Sequence, residues 1–292
     1  MRQNQASIPG QGRIKSKKKS EKIGKIITYI LLISLSVIFM IPFVWLLSSS
    51  LKSNADIFAM PPKWIPDPIE FSNYVEVLRQ VPFFRFLANT LKIAVPVLVA
   101  NVFVSAMVGY AFARFRAPGK NVLFMLLLST MMLPSQVTMI PLFIMFKEVG
   151  WVDTLLPMIV PVFFGGSALY VFLFRQYYAT FSASLGEAAR IDGAGYFKTF
   201  THVYLPMSKP ILITVGIFSF MGSWNDFMGP LIYLNDMNNF TLAIGLNMFK
   251  TQYIQNWNYT MAYNVMIVAP LIILFFVAQK SFIQGIVITG TK

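Results

Sequence analysis

The chain contains no cysteine and a single histidine, His202, among 292 residues. The first absence removes disulfide frameworks, thiolate metal sites and cysteine nucleophiles; the second leaves a zinc site or a histidine-based triad short of ligands. Charge is scarce as well. Asp, Glu, Lys and Arg make up 12% of the chain, against about 25% in a typical soluble domain. No G-x-x-x-x-G-K-[ST] segment occurs, so the chain has no phosphate-binding loop with which to hydrolyse ATP itself. No repeat at solenoid spacing is present.

What is plentiful is apolar: 56% of residues are hydrophobic and the mean hydropathy is +0.63. A helix crossing a bilayer core needs about 20 mostly apolar residues. Six such stretches occur, and they predict an all-α integral membrane protein with six transmembrane helices at about 26–51, 90–113, 121–146, 154–175, 210–234 and 259–280. The first follows a basic segment, as a signal peptide would, but its apolar run is too long for a signal core and continues through Pro42 and Trp45.

The net charge of +13 would raise nucleic acid as a partner in a soluble protein. Here the basic residues sit between apolar runs. Segments 1–25, 114–120, 175–209 and 280–292, which share one side, hold 17 Lys and Arg and 3 Asp and Glu. The opposite segments, 52–92, 147–153 and 226–250, hold 7 and 8. This positive-inside bias predicts that both termini are cytoplasmic and that nucleic acid is not a partner. Residues 1–25 form a basic tail, of which 1–22 reads as disordered. The run Lys17–Lys19 can touch anionic headgroups, though anchoring topology is its simpler role.

The long cytoplasmic loop at 182–209 carries the most specific signal. Ser184 and Glu187 form an S-x-x-E capping box that predicts a short helix. Gly193, after Asp192, can end it in a left-handed conformation. A second short helix is expected from about Ala194 to His202, closed by Leu205–Pro206, with Ser208 capping the fifth span and Pro210 in its first turn. Such a knob could dock on another protein. Ala188 and Ala189 would leave it without bulk, and Glu187, Arg190, Asp192 and Lys198 would supply charged contacts. The plainer alternative is a well-capped linker.

Glu187-Ala-Ala, three residues, Gly193, nine residues, then Val203-x-Leu205-Pro206 resembles the EAA loop of ATP-binding-cassette (ABC) importer permeases. Tyr110–Gly119, Met132–Thr138, Gly222–Phe227 and the ending Gln279–Lys292, with Gly285 and Thr289–Gly290, are similar to the MalG-like sugar permeases. The resemblance covers nearly the whole chain after about residue 30. It implies a type I ABC importer fold in a bacterial cytoplasmic membrane. It also implies a second permease subunit, two ATPase subunits docking at 182–209, and an extracytoplasmic solute-binding protein. ATP and magnesium would belong to the ATPase, with no cofactor on this chain. Glu187, Ala188, Ala189, Arg190, Asp192, Gly193, Leu205 and Pro206 match the coupling motif. Two departures stand at Ser182 and Ser184, where relatives often carry proline and Glu. The loop at 236–258 would reach the binding protein.

Within the spans, Gly216, Ser219, Ser223 and Asp226 fall on one face if the fifth helix runs to about Leu234, with Asn225 beside them. Such a stripe serves helix packing or lines a pathway. Gln136, Asn89, Asn101 and Asn264 are further polar candidates near that pathway. Trp224, Tyr233, Tyr253, Trp257 and Tyr259 fit either sugar contacts or an interfacial aromatic belt. Proline at 42, 96, 134, 141, 157, 161 and 270 and Gly165–Gly166 predict breaks in the spans. The expected function is passage of a sugar or oligosaccharide. Alternatives are an ABC permease for an amino acid or polyamine, a self-contained transporter built around Asp226, and a membrane-embedded enzyme, which the scattered acidic residues do not supply.

Overall fold

The computed structural model describes the backbone of residues 11–249 and 256–289, with side chains from Lys22 to Phe249, from Asn256 to Phe276, and at Gln279. The Lys17–Lys19 side chains, Tyr253 and Gly290 lie outside the described residues. All described regular structure is helical. Four stretches are long and apolar enough to cross a membrane: Lys22–Ser49, Phe83–Arg114, Leu156–Ala179 and Trp257–Phe276. Two bent helix pairs, Lys120–Thr130 with Ser135–Glu148 at 95° and Tyr196–Met207 with Lys209–Trp224 at 83°, raise the count to six when each is taken as one span.

Helix α1 (Gln11–Ser49) begins earlier than the sequence suggested. Residues 11–22, read as disordered, are helical, because this stretch is rich in Lys, Arg, Gln and Glu, which are good helix formers. Short helices α2 (Asn54–Ile57) and α3 (Ser72–Gln80) punctuate the first loop. Inside that loop Lys52 is 1% exposed. Its ammonium donates to the Lys63 carbonyl and lies 4.2 Å from the Trp45 ring centre. Desolvation depresses its pKa.

Helix α4 (Phe83–Arg114) is the axis of the fold. It starts seven residues before the predicted position 90, because Arg85 and Asn89, read as loop-like and path-like, both reach the segment Asn238–Phe240. Helices α5 (Lys120–Thr130) and α6 (Ser135–Glu148) form the third span, broken where Pro134 interrupts the ladder. The fourth begins with α7 (Leu156–Ile159) and a 3-10 turn, Val160–Phe164. It is broken at Gly165–Gly166, both with positive φ, and resumes as α8 (Ala168–Ala179).

The loop after it holds α9 (Ala183–Ile191), α10 (Tyr196–Thr199), a π-turn at Phe200–Tyr204 and α11 (Leu205–Met207). Leu205–Pro206 therefore continues this helical run rather than closing it, since proline is tolerated in a first turn. Helix α12 (Lys209–Trp224) carries the fifth span. Ser208 is its N-cap residue, as expected, but makes no side-chain cap bond: its hydroxyl donates back to the Tyr204 carbonyl at 2.5 Å. Helix α12 also ends at Trp224 rather than near 234. After a break at 225–227 the chain forms α13 (Met228–Tyr233) and α14 (Leu242–Gly245). Helix α15 (Trp257–Thr289) is the last span, and it runs through most of the predicted tail 281–292.

Two aromatic cores sit at opposite ends of α4. At its start Phe83 and Phe86 pack with Val77, Trp224, Leu242 and Tyr263. At its end Ala106 and Tyr110 pack with Phe174, Tyr178, Phe200 and Tyr204. Between them α8 and α12 lie along α4, held by the bond from Asn101 Nδ2 to Ser219 Oγ at 2.9 Å. Close approach depends on missing side chains. A Cβ on Gly109 would stand 2.6 Å from Phe174 Cβ, as expected of helices packed through small residues.

Asp153, in the loop after α6, ties down the loop near 235–239 from a left-handed backbone conformation, φ 62°. Its carboxylate accepts the backbone N–H groups of Asn235 and Asp236 at 3.0 and 2.9 Å and the Asn239 amide at 3.3 Å. The two backbone bonds hold its pKa below the ordinary value. A depressed carboxylate pKa means a contribution present above the unfolded aspartate value, about 3.9, and lost as pH falls through the lower folded value. Asp153→Ala is therefore expected to speed hydrogen exchange at the Asn235 and Asp236 amides at pH 7. Wild-type chain should do so only in acid below the ordinary aspartate range. Equal protection in the variant at neutral pH would show that the clamp does not hold the loop.

Candidate functional sites at the two ends of the bundle

At one end α9 and α10 form a rigid knob. Its helix is capped by Ser182, not by Ser184. The Ser182 hydroxyl accepts the Ser184 N–H at 3.3 Å, and Ser184 and Glu187 lie inside the helix. The chain leaves α8 at Thr180, so the first serine after that exit takes the cap. At the other end of α9, Gly193 has φ 76°. Its N–H donates to the Arg190 carbonyl at 3.0 Å and that of Ala194 to Ala189 at 2.9 Å. These two bonds define a Schellman motif, whose left-handed position favours glycine.

The faces of α9 are sharply divided. Ala189 is 8% exposed and turned inward, with Leu185 packed on the core beneath. The two alanines therefore do not share one bare face: Ala188 is exposed with Glu187, Arg190 and Asp192. Beside them Ile191 is 86% exposed and Phe197 69%. The sequence reading passed over both. Their signal was an apolar residue placed between Arg190 and Asp192, and an aromatic after the glycine turn. Pro206 is exposed and Leu205 half-buried. Arg114, at the end of α4, fastens the knob by donating to the carbonyls of Tyr178 and Phe181, each at 2.6 Å.

At the opposite end a pocket of about 330 Å³ opens between the end of α12, the turn after α14 and α15. It brings together Trp224, Asn225 and Asn264 from the sequence reading and adds Phe227, Leu246 and Asn247. The Nδ2 groups of Asn225 and Asn264 donate to the carbonyls of Met221 and Thr260, both at 2.9 Å, which leaves their Oδ1 atoms to accept. Trp224 stacks on Phe220 at 5.3 Å, and its buried Nε1 has no partner. No charged side chain lines this pocket.

Other candidates lie elsewhere. Ser219 is 3% exposed and bonded to Asn101, so both serve the α4–α12 contact. Gln136 stands exposed in the first turn of α6. Ser223 is half-buried and does not line the pocket. Asp226 does not extend the helical stripe, because α12 has already ended. Its Oδ1 instead accepts the Gly229 N–H at 3.1 Å. Among the belt candidates, Tyr233 packs on Phe146, Trp257 on Phe58 and Tyr259 on Phe249.

A multi-span helical bundle with a polar–aromatic pocket at one end and a rigid exposed knob at the other is the architecture of a membrane transport subunit. A family model described as binding-protein-dependent transport system inner membrane component matches residues 101–288. The arabinooligosaccharides transport system permease protein AraQ of Bacillus subtilis (strain 168) is 33% identical over 261 residues, spanning 88% of this chain and 92% of its own. The diacetylchitobiose uptake system permease protein NgcG of Streptomyces coelicolor is 30% identical over 91% of this chain and 88% of its own. A crystal structure of a bacterial ABC transporter involved in the import of the acidic polysaccharide alginate superposes with a TM-score of 0.76 and 26% identity. That match covers 90% of this chain and 98% of that one. The chain thus belongs to the family of inner-membrane components of binding-protein-dependent transport systems.

Proposed function

We propose that the chain is the permease subunit of a bacterial ABC importer for a sugar or oligosaccharide. With a second permease it forms the pathway, in the cytoplasmic membrane, for solute delivered by a binding protein. Both termini and the knob face the cytoplasm, in keeping with the positive-inside bias. Two ATPase subunits hold ATP and magnesium, and this chain carries no cofactor. The observation that carries the reading is the knob. Its N-cap, its left-handed glycine and Arg114 hold the backbone firmly, while Glu187, Ala188, Ile191 and Phe197 project from it. A rigid projection with an apolar tip and charged rim transmits a displacement from a docked partner into α8 and α12.

The opposite pocket supports the solute class. Amide oxygens beside Trp224 and Phe227 suit hydroxyl groups and sugar faces. A polyamine would need carboxylates there, and none lines it. In this mechanism closure of the ATPase dimer pulls the knob, the spans open outward, and the solute enters. Hydrolysis returns the bundle to its inward state.

The test is purification through a tag on this chain, co-expressed with its partner subunits, with ATPase activity read against binding protein loaded with candidate sugars. Gly193→Pro removes an N–H and forbids the left-handed φ. It is expected to abolish stimulation by loaded binding protein. If no ATPase co-purifies, or if the proline variant couples normally, the coupling role is wrong.

A further inference from the structure

A second cavity, of about 320 Å³, lies under the knob, between α9, α10 and the end of α4. Arg114, Arg116 and Arg190 line it, with Glu187 as the one carboxylate, and Tyr196 and Thr199 complete the wall. Three guanidinium groups thus face one acid. None of them is paired: the ion pairs among the described residues are Lys63–Asp56 and Arg79–Glu76, both in the first loop. Arg114 spends its Nη2 on two backbone carbonyls, while its buried Nε has no acceptor. Arg190 lies 4.5 Å from the Tyr196 ring centre, a contact that orients the guanidinium and leaves its charge uncancelled. Thr199 is 3% exposed, and its Oγ1 has no hydrogen-bond partner.

Buried donors are seldom left unmatched in a native structure. Arg114 Nε and Thr199 Oγ1 are two such buried groups, and together with the exposed side chains of Arg116 and Arg190 around the same space they match a tetrahedral oxyanion. Arginine forks bind phosphate oxygens in pairs, and such bonds are about twice as strong as neutral ones. We propose that this cavity is a binding site for a phosphate group, carried either by a free phosphate compound of the cytoplasm or by the headgroup of an anionic lipid of the inner leaflet. The three walls come from the end of α4 and from both halves of the knob. An occupant therefore fastens the knob to the bundle, and the site sets how firmly a docked partner grips the spans. The site is independent of which solute is carried.

The assembled complex, in nanodiscs of zwitterionic phosphatidylcholine, is titrated with inorganic phosphate at constant ionic strength. In a parallel arm the discs contain phosphatidylglycerol and no phosphate is added. The readout is the thermal midpoint of this subunit in wild type, Arg116→Gln and Thr199→Val. A rise of a few degrees in the phosphate arm, at least halved in either variant, assigns a free phosphate compound. The same pattern confined to the phosphatidylglycerol arm assigns the lipid headgroup. Phosphate bound at the ATPase subunits raises wild type and variants alike, so it is subtracted by the comparison. No rise in either arm, or equal rises in all three proteins, overturns the proposal. Thr199→Val, nearly isosteric, carries the test alone if Arg116→Gln does not assemble.

Discussion

Ile191→Asp is expected to leave the chain folded in the membrane and to abolish its grip on the ATPase. The side chain is 86% exposed and makes no contribution to the core of its own chain, so the isolated subunit has nothing to lose. If the ATPase docks on the knob as proposed, the same side chain is the apolar tip it covers. Burying an isoleucine contributes about 1.5–3 kcal/mol. Burying an unpaired carboxylate at the same contact adds a desolvation cost of several kcal/mol. Together these weaken docking by roughly 100-fold or more, since 1.4 kcal/mol is tenfold. Phe197→Asp should behave in the same way. Binding of purified ATPase to the subunit in detergent would measure it. Near wild-type affinity with both aspartates would remove Ile191 and Phe197 from the interface and leave docking to the charged rim.

Gly109→Val is expected to give the opposite pattern: loss of the fold rather than of the partner. An added Cβ would stand 2.6 Å from Phe174 Cβ and 3.0 Å from both the Arg175 nitrogen and the Val171 carbonyl. Two of those three neighbours are backbone, so a rotamer change cannot relieve the contact. Overpacking usually costs about 1–3 kcal/mol, and here α8 must move off α4, which places the cost at the upper end or above. The comparison is Gly222→Ala, in α12, whose new Cβ meets nothing within 4 Å. That change should stabilise the helix by up to about 1 kcal/mol. Unfolding of the two variants in mixed detergent would show it. A Gly109→Val chain as stable as wild type would mean that α4 and α8 do not touch as described.

The spans were legible in the sequence because hydropathy is the dominant constraint on a membrane chain; Pro134 and Gly165–Gly166 marked breaks, whereas Pro42, Pro96, Pro141 and Pro270 lie inside continuous helices. What escaped was decided by long-range partners. Arg85 falls in the 52–92 loop segment on paper, yet it lies inside α4 and donates to Asn238. The stripe through Ser219 kept its period only while the helix lasted. Nothing local announces that α12 stops at Trp224, where Asn225 turns its amide back to Met221. In the knob, Asp192–Gly193 gave the end of α9 correctly, because the left-handed glycine is a local rule. Its start was misplaced by two residues, because two serines competed and the exit of α8 chose between them. The pocket residues Trp224, Asn225 and Asn264 could be named by type. Asn247, on a short turn after α14, becomes their neighbour only through the return of that loop.

Helix α1 brings a different consequence. From Ile23 to Val44 its side chains are exposed, with Trp64 of the first loop beside the face that runs from Ile33 to Val44, and burial begins only at Trp45. Its last turns are fixed by its own subunit, through Trp45 against Trp64 and the buried Ser48 and Ser49, while most of its length is left exposed. Lipid can surround it at no cost to either core, and a neighbouring subunit can replace that lipid without unpacking anything. Both cores are complete while most of α1 still offers an uncovered apolar surface, so assembly adds contacts to this helix rather than rearranging those already made.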